Sequence, residues 1–286
     1  MMYNLPTRRE KMKKFLISIT LLLLMVCLTA DAQWRSKTHD EYHALQRPAT
    51  IKIDGDLTDQ EGWEGVFEAV TGTDGEPYCG LEFDGNVKFE PHGGGTWNGA
   101  KDHETCFAIV WDEDAVYIAV SVTDDEHNNA ANSGWNGDSI QFSFVPNGMR
   151  EEGQANILIN VALGNNGNIV IHNETLQGNP GLNADQVAIV RNEEETETYY
   201  EIQIKPDNLG QNQFEEDYEF GLGICVNDGD NGAQAGQKGW SGWYPHAVVH
   251  GKNPSKTGLV ILTDEQLAVE AKNKLTSTWG RIKSTR

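Results

Sequence analysis

The chain has 286 residues, with 22 lysines and arginines against 43 aspartates and glutamates, for a formal net charge of −21. That excess of negative charge repels phosphate, which argues against nucleic acid and anionic membrane surfaces as partners, and it suits Ca²⁺, which takes several hard oxygen ligands. Apolar content is only 38%, but eight Trp, eight Tyr and nine Phe suffice for a packed core, and the length fits one all-β domain.

Lys11, Lys13 and Lys14 precede an apolar run from Phe15 to Leu28 that ends at Ala30-Asp31-Ala32. A basic start, an apolar stretch of about 7–15 residues and an A-x-A end describe a secretory signal peptide. The run falls short of the roughly 20 apolar residues that a spanning helix needs, so no membrane insertion is expected. The expectation is export, to the extracellular space or the periplasm, with cleavage after Ala32. Residues 1–32 carry five bases and two acids, so their removal takes the net charge to −24. Cys79, Cys106 and Cys225 then remain, enough for one bridge with one thiol left over. No C-x-x-C pair supports a zinc knuckle or a redox site.

Residues 33–49 read as a polar N-terminal extension, 50–263 as the domain, and 264–286 as a tail. Short alternating or apolar runs then recur between Gly, Asn and Asp clusters. They are Ile51–Ile53, Thr105–Trp111, Val116–Val122, Ser139–Val145, Ile157–Val161, Ile169–His172, Gln186–Arg191, Tyr199–Ile204, Phe220–Val226 and Gly258–Leu262. β-Branched and aromatic residues dominate these runs, and Asn165-Asn166-Gly167-Asn168 between two of them signals a hairpin. Many short strands with almost no helical periodicity predict an all-β antiparallel sandwich of jelly-roll or immunoglobulin-like kind. The exceptions are a helical turn at Gln60–Phe67 and a short C-terminal helix from Asp264 to about Leu275. The glycine-rich segment Gly72–Asp102 reads as a long loop, functional or a plain insertion.

Four stretches carry a resemblance. Ile51-Lys52-Ile53-Asp54-Gly55-Asp56-Leu57 is followed by Trp63; Val110-Trp111-Asp112-Glu113-Asp114-Ala115-Val116-Tyr117-Ile118 leads to Val122-Thr123-Asp124. Trp135-Asn136-Gly137-Asp138-Ser139-Ile140-Gln141-Phe142 comes third. Last come Tyr200–Pro206, Phe220–Asp228, Trp243 and Asn253–Gly258. In this order, across residues 50–262, they resemble the family 9 carbohydrate-binding modules and their relatives in the DOMON superfamily. The resemblance implies a β-sandwich that binds sugars without cutting them, that commonly stands beside a glycoside hydrolase domain, and that carries structural calcium. It also implies a grip on a glucan or xylan chain end between two tryptophans. Trp135 matches the first. Gln141 stands where the family has an acid, and keeps hydrogen-bonding capacity without the charge. The second tryptophan is expected just before Asn253-Pro254-Ser255, where this chain has His250-Gly251; Trp243, Trp240 or Trp97 would have to replace it.

The residues themselves agree with sugar binding, which takes an aromatic platform for the apolar face of a pyranose and planar polar groups for its hydroxyl edge. Trp135, Trp97, Trp240 and Trp243 lie among Gly, Ser, Asn and Thr, and read either as platforms or as loop anchors; Trp63 and Trp111 lie in apolar surroundings and read as core. Gln141, Asn160 and Asn253 are the candidate amides. Asp124-Asp125 and Asp228-Gly229-Asp230 follow strands and offer oxygen ligands for calcium, or simply form acidic turns. Asp138 is either a further ligand or a cap for the Trp135 loop. The eight histidines show no H-E-x-x-H or other zinc spacing. Two rival readings remain. One is an exported polysaccharide-degrading enzyme with an acid pair drawn from Glu104, Asp138 and Glu201. The other is haem binding through His127, Met149 or His172.

Overall fold

A computed structural model describes residues 34–47, 51–57, 63, 65–84, 86–230 and 236–266. The expected leader, half of the expected helical turn and the tail beyond Gln266 lie outside the described residues. Trp34 and Arg35 belong to a separate N-terminal unit, in which the Arg35 guanidinium lies 4.4 Å over the Trp34 ring.

The rest is an antiparallel β-sandwich. Its strands are β1 (Glu41–Gln46), β2 (Glu90–Pro91), β3 (His103–Trp111), β4 (Val116–Asp124), β5 (Ser139–Val145), β6 (Ile157–Leu163), β7 (Ile169–Thr175), β8 (Val187–Asn192), β9 (Glu197–Ile204), β10 (Glu219–Asp228), β11 (Gly239–Trp243) and β12 (Gly258–Gln266). The order is β7-β6-β5-β10-β12-β1-β3-β4-β9-β8, and β11 pairs with both β10 and β2. One edge of β10 divides its partners: Glu219–Leu222 pair with β12, and Ile224–Asp228 pair with β11.

Nine of the ten expected runs are strands. The hairpin between β6 and β7 closes through Gly167 N to Gly164 O at 2.8 Å, with Gly167 in the left-handed region at φ 78°. Between β3 and β4, Asp112 Oδ1 accepts from the N of Asp114 and of Ala115, both at 2.9 Å, which is why the turn takes aspartate there. Ile51–Ile53 is not a strand.

Three expectations change. Glu41–Gln46, read as part of an extension, is β1, lying parallel between β12 and β3 with Tyr42 and Ala44 buried and Glu41 and His43 exposed. Gly239–Trp243 is a strand because its glycines admit close neighbours: a Cβ on Gly242 would stand 2.2 Å from Ile224 O. Asp264–Gln266 extend β12 instead of opening a helix, and the described α-helix is the single turn Val66–Ala69.

β3 and β4 are buried on both faces. On one, Phe107 meets Trp243 of β11 with ring centroids 5.3 Å apart, and Tyr78 and Tyr42 complete the aromatic cluster. On the other, Ala108, Val110, Tyr117 and Ala119 pack under Ile51, Leu57, Trp63, Val66 and Phe67. Each such large apolar side chain contributes roughly 1.5–3 kcal/mol on burial. Glu201 of β9 fastens that cover: its carboxylate accepts from Trp63 Nε1 at 2.6 Å, Gly55 N at 2.8 Å and Asp54 N at 2.9 Å. A disulfide joins Cys79 to Cys106, and Cys225 is a buried free thiol.

Candidate functional site

Alternation along β5 turns Ile140, Phe142 and Phe144 into the core and leaves Ser139, Gln141 and Ser143 on the opposite face. Register then sets a row across four strands: His172 of β7 opposite Asn160 of β6, Asn160 opposite Gln141, and Gln141 opposite Cys225 of β10. A second row sets Trp240 opposite Asn227 and Asn227 opposite Ser139. This face is therefore an amide-rich polar network.

Asn227 is its hub. Its Oδ1 accepts from Gln237 Nε2 at 2.6 Å and Gln141 Nε2 at 3.2 Å, and its Nδ2 donates to Ser139 Oγ at 2.8 Å and Trp135 O at 3.4 Å. Asn160 Nδ2 donates to Glu174 at 3.1 Å and stands 3.3 Å from His172 Nδ1, while its Oδ1, on a side chain 0% exposed, has no partner among the described residues. A buried acceptor without a donor is costly and calls for an explanation. Over this network runs the loop that carries Trp135, which is 46% exposed. Gly134 lets it settle there, since a Cβ at that position would lie 2.9 Å from His172 Cβ and 3.2 Å from Asn160 Cβ.

The other candidate residues separate by burial. Trp240 and Trp243 are 3% and 2% exposed, so neither offers a ring face to solvent. Trp243 donates its Nε1 to His39 O at 2.7 Å within the core, and Trp240 packs with Cys225 and Val248. Sequence neighbours of small polar type suggested loops; pairing in β11 overrides that. Trp97, 36% exposed, stacks on Phe89 at 6.2 Å and donates to His103 O at 2.9 Å, which anchors the glycine-rich segment. Asn253 caps a 3-10 turn, its Oδ1 accepting from Ser255 N at 2.9 Å and Ser255 Oγ at 2.8 Å. Sequence reasoning missed Gln237 and Glu174, and it named His172 only as a haem candidate and Asn227 only in a strand-end stretch; the alternation of Phe220–Val226 could have placed Asn227 on this face.

A second constellation lies where β4 and β10 end and β3 and β5 begin. The two acidic stretches, far apart in sequence, converge there: ligand atoms of Asp102, Asp125 and Asp230 lie within 4.8 Å of one another, and so do those of Asp124, His127 and Asp138. Burial, then mutual repulsion, raises four carboxyls here: Asp124, Asp138, Asp228 and Asp230. Asp124 is pushed up to about 7, by burial first and with the charge of Asp228 adding to it, and Asp228 up to about 6, by burial first and with the charge of Asp102 adding. Asp230 is pushed up to about 8, by burial and then by Asp228 and Asp124, and Asp138 lies well above its ordinary value, by burial and then by Asp124. Asp230 Oδ1 is buried with no partner among the described residues. Oxygen donors gathered within about twice a Ca–O bond length of 2.3–2.6 Å, short of a counter-charge, fit calcium. Asp125 and Asp230 stand with Asp102 in one trio and Asp124 with Asp138 in the other, and the charge of Asp228 acts on both.

The pair Glu104 and Glu201, and the pair Met149 and His127, lie apart. Glu104 pairs with Thr123, and Glu201 with Ala119, roughly 13 Å apart along β4 alone, against the about 5–9.5 Å carboxylate spacing of glycosidases. Met149, past the end of β5, is separated by that strand's roughly 20 Å from His127, whose Nε2 faces Leu163 O at 2.9 Å.

A family model described as "Carbohydrate family 9 binding domain-like" matches residues 87–265. A family 9 carbohydrate-binding module from Caldicellulosiruptor kristjanssonii, solved in complex with cellotriose, is similar with a TM-score of 0.52 and 14% identity, over 81% of this chain and 97% of that one. The same organism's module in complex with glucose aligns with a TM-score of 0.47 and 14% identity, over 80% and 99%. No curated protein matches the sequence.

Proposed function

The chain belongs to the carbohydrate family 9 binding domain-like family, and we propose that it binds a poly- or oligosaccharide, without cutting it, on the polar face beneath Trp135. The observation that carries this reading is the pairing of a half-exposed tryptophan with the rim of the buried amide network, where His172 is exposed and Glu174 and Gln237 are half-buried. A pyranose complements both, with an apolar ring face for the indole and hydroxyls for the polar rim. The cellotriose bound by the Caldicellulosiruptor kristjanssonii module makes β-glucan oligosaccharides the first ligands to try.

Calcium at Asp102, Asp124, Asp125, Asp138, Asp228 and Asp230 belongs to the same proposal, as structural ion; the raised carboxyls and the unpartnered Asp230 Oδ1 support it. Export is supported by the basic start and apolar run of residues 11–32, and no described helix is long and apolar enough to cross a membrane. An exported sugar binder of this kind would act beside a glycoside hydrolase.

Isothermal titration against soluble glycans, with reducing-sugar release followed in parallel, tests the reading. Binding in the micromolar to millimolar range, abolished or strongly weakened by Trp135→Ala and accompanied by no sugar release, is expected. The absence of heat with every glycan, or sugar release, overturns it.

A further inference from the structure

At the edge where β2 meets β11, Glu90, His246 and His250 converge, and we propose that they bind a zinc-class divalent ion. One ligand atom from each lies within 4.8 Å of the others. Glu90 stands opposite Trp240 in the β2–β11 pair, His246 sits in the 3-10 turn Pro245–Ala247 that follows β11, and His250 comes four residues later. The two carboxylate oxygens address one imidazole each: Oε2 lies 2.6 Å from His246 Nε2, and Oε1 lies 2.9 Å from His250 Nε2.

Two imidazoles and one carboxylate form a donor set for zinc and its borderline neighbours, whereas calcium and magnesium prefer oxygen alone. With bonds of about 2.0–2.1 Å, adjacent ligands of a tetrahedral ion stand about 3.3 Å apart, so both pairs need open by less than ~1 Å to admit one. A second observation is independent of these distances. His246 Nδ1 lies 3.3 Å from Asp84 Oδ2, and Asp84 is itself 3.7 Å from Lys256 Nζ. A carboxylate on Nδ1–H orients a metal-bound imidazole and turns the Nε2 lone pair toward the ion. In that tautomer Nε2 is an acceptor that faces the Glu90 carboxylate, also an acceptor, and a divalent ion between them satisfies both.

His250 is held in the left-handed region at φ 57°, which turns its ring into the group; its side chain is 55% exposed, so the fourth position of the ion opens to solvent. The His250 ring also lies 5.6 Å from Trp240, which places the ion at the border of the polar face.

Chelator-stripped protein titrated with ZnCl₂, in excess calcium to occupy the acidic cluster, is expected to bind one zinc with micromolar or tighter affinity. Removing a ligand by His250→Ala, at an exposed position, or by His246→Ala is expected to weaken it by about 100-fold or more, and Asp84→Asn by about 10–100-fold. Co²⁺ in place of zinc is expected to give the visible absorption of a tetrahedral site, lost in His250→Ala. Circular dichroism confirms that each variant is folded. Failure of wild type to bind zinc, or binding unchanged in folded His250→Ala and His246→Ala, overturns the proposal.

Discussion

Asp138 Oδ1 accepts a hydrogen bond from Gly229 N at 2.6 Å, joining the start of β5 to the end of β10 across 91 residues of chain. Asp138 Oδ2 accepts from Asn128 N, so one carboxylate ties the loop after β4, which also carries Trp135, to the loop after β10. Gly229 has no room to be anything else, since a Cβ there would lie 2.1 Å from Asn128 O. The acid cluster and the Trp135 platform are therefore one mechanical unit.

Chelation is expected to act on both at once. Adding EDTA should lower the unfolding temperature and weaken glycan binding, and calcium should restore both. At a free calcium concentration 100 times its Kd the stabilisation is about 2.7 kcal/mol. Calorimetric scans with and without EDTA measure it; identical scans would remove calcium from the acid cluster.

The pH dependence has a definite sign. Burial and mutual repulsion hold Asp228 at about 6, Asp124 at about 7 and Asp230 at about 8, all above the roughly 4 of an unfolded carboxyl. Between these limits these carboxyls bind more protons in the native state than in the unfolded chain, so their contribution to calcium-free stability falls as pH rises from about 4 to 8, against the opposite contribution of buried His103, pushed down to about 4. Calcium requires the ionised forms, so its affinity rises through the same window, and saturating calcium should flatten or reverse the slope. Urea unfolding at pH 5 and pH 8, with EDTA and with calcium, reads both slopes. A calcium-free protein that gains stability over this interval would contradict the geometry.

Exposure divides the tryptophans into two experiments. Trp135→Ala should cost about tenfold or more in glycan affinity, about 1.4 kcal/mol, and leave the midpoint of unfolding nearly unchanged. Trp240→Ala, in the buried cluster with Cys225 and Val248, should cost about 3–5 kcal/mol of stability. Paired titration and urea denaturation check the split. A strongly destabilised Trp135→Ala would make Trp135 a packing residue.

How much of this was legible follows from which interactions are local. β5 could be read to the residue because Ser139–Val145 alternates and ends at turn formers. β1 and β11 could not, since Glu41–Gln46 and Gly239–Trp243 are short, polar or glycine-rich, and become strands through partners far away in sequence. Trp135 was visible from its small polar neighbours; the same signature misplaced Trp240 and Trp243, because composition cannot tell a glycine in a loop from one that admits a neighbouring strand. Asp124 and Asp228 were visible as strand-end acids. Their meeting, and the approach of Glu90 to the neighbouring His246 and His250, depends on tertiary register.

Glu201 supplies the last test. Its carboxylate is buried and holds Trp63 Nε1, Gly55 N and Asp54 N, so it fixes the segment that covers the outer face of β3, β4 and β9. Glu201→Ala would strand three donors, two of them on the backbone, at about 1–3 kcal/mol for each unsatisfied group, and relaxation of the cover would recover part of that. A net loss of about 3–5 kcal/mol is expected. Glu201→Gln keeps one acceptor oxygen but turns an N–H₂ toward donors, so it should be intermediate. Because Glu201 lies on β9 and the polar face on β5, β6, β7 and β10, the fraction that remains folded should bind glycan with unchanged affinity. Urea denaturation beside isothermal titration separates these effects. A stable Glu201→Ala that has lost glycan binding would move the functional face from Trp135 to the β9 side of the sandwich.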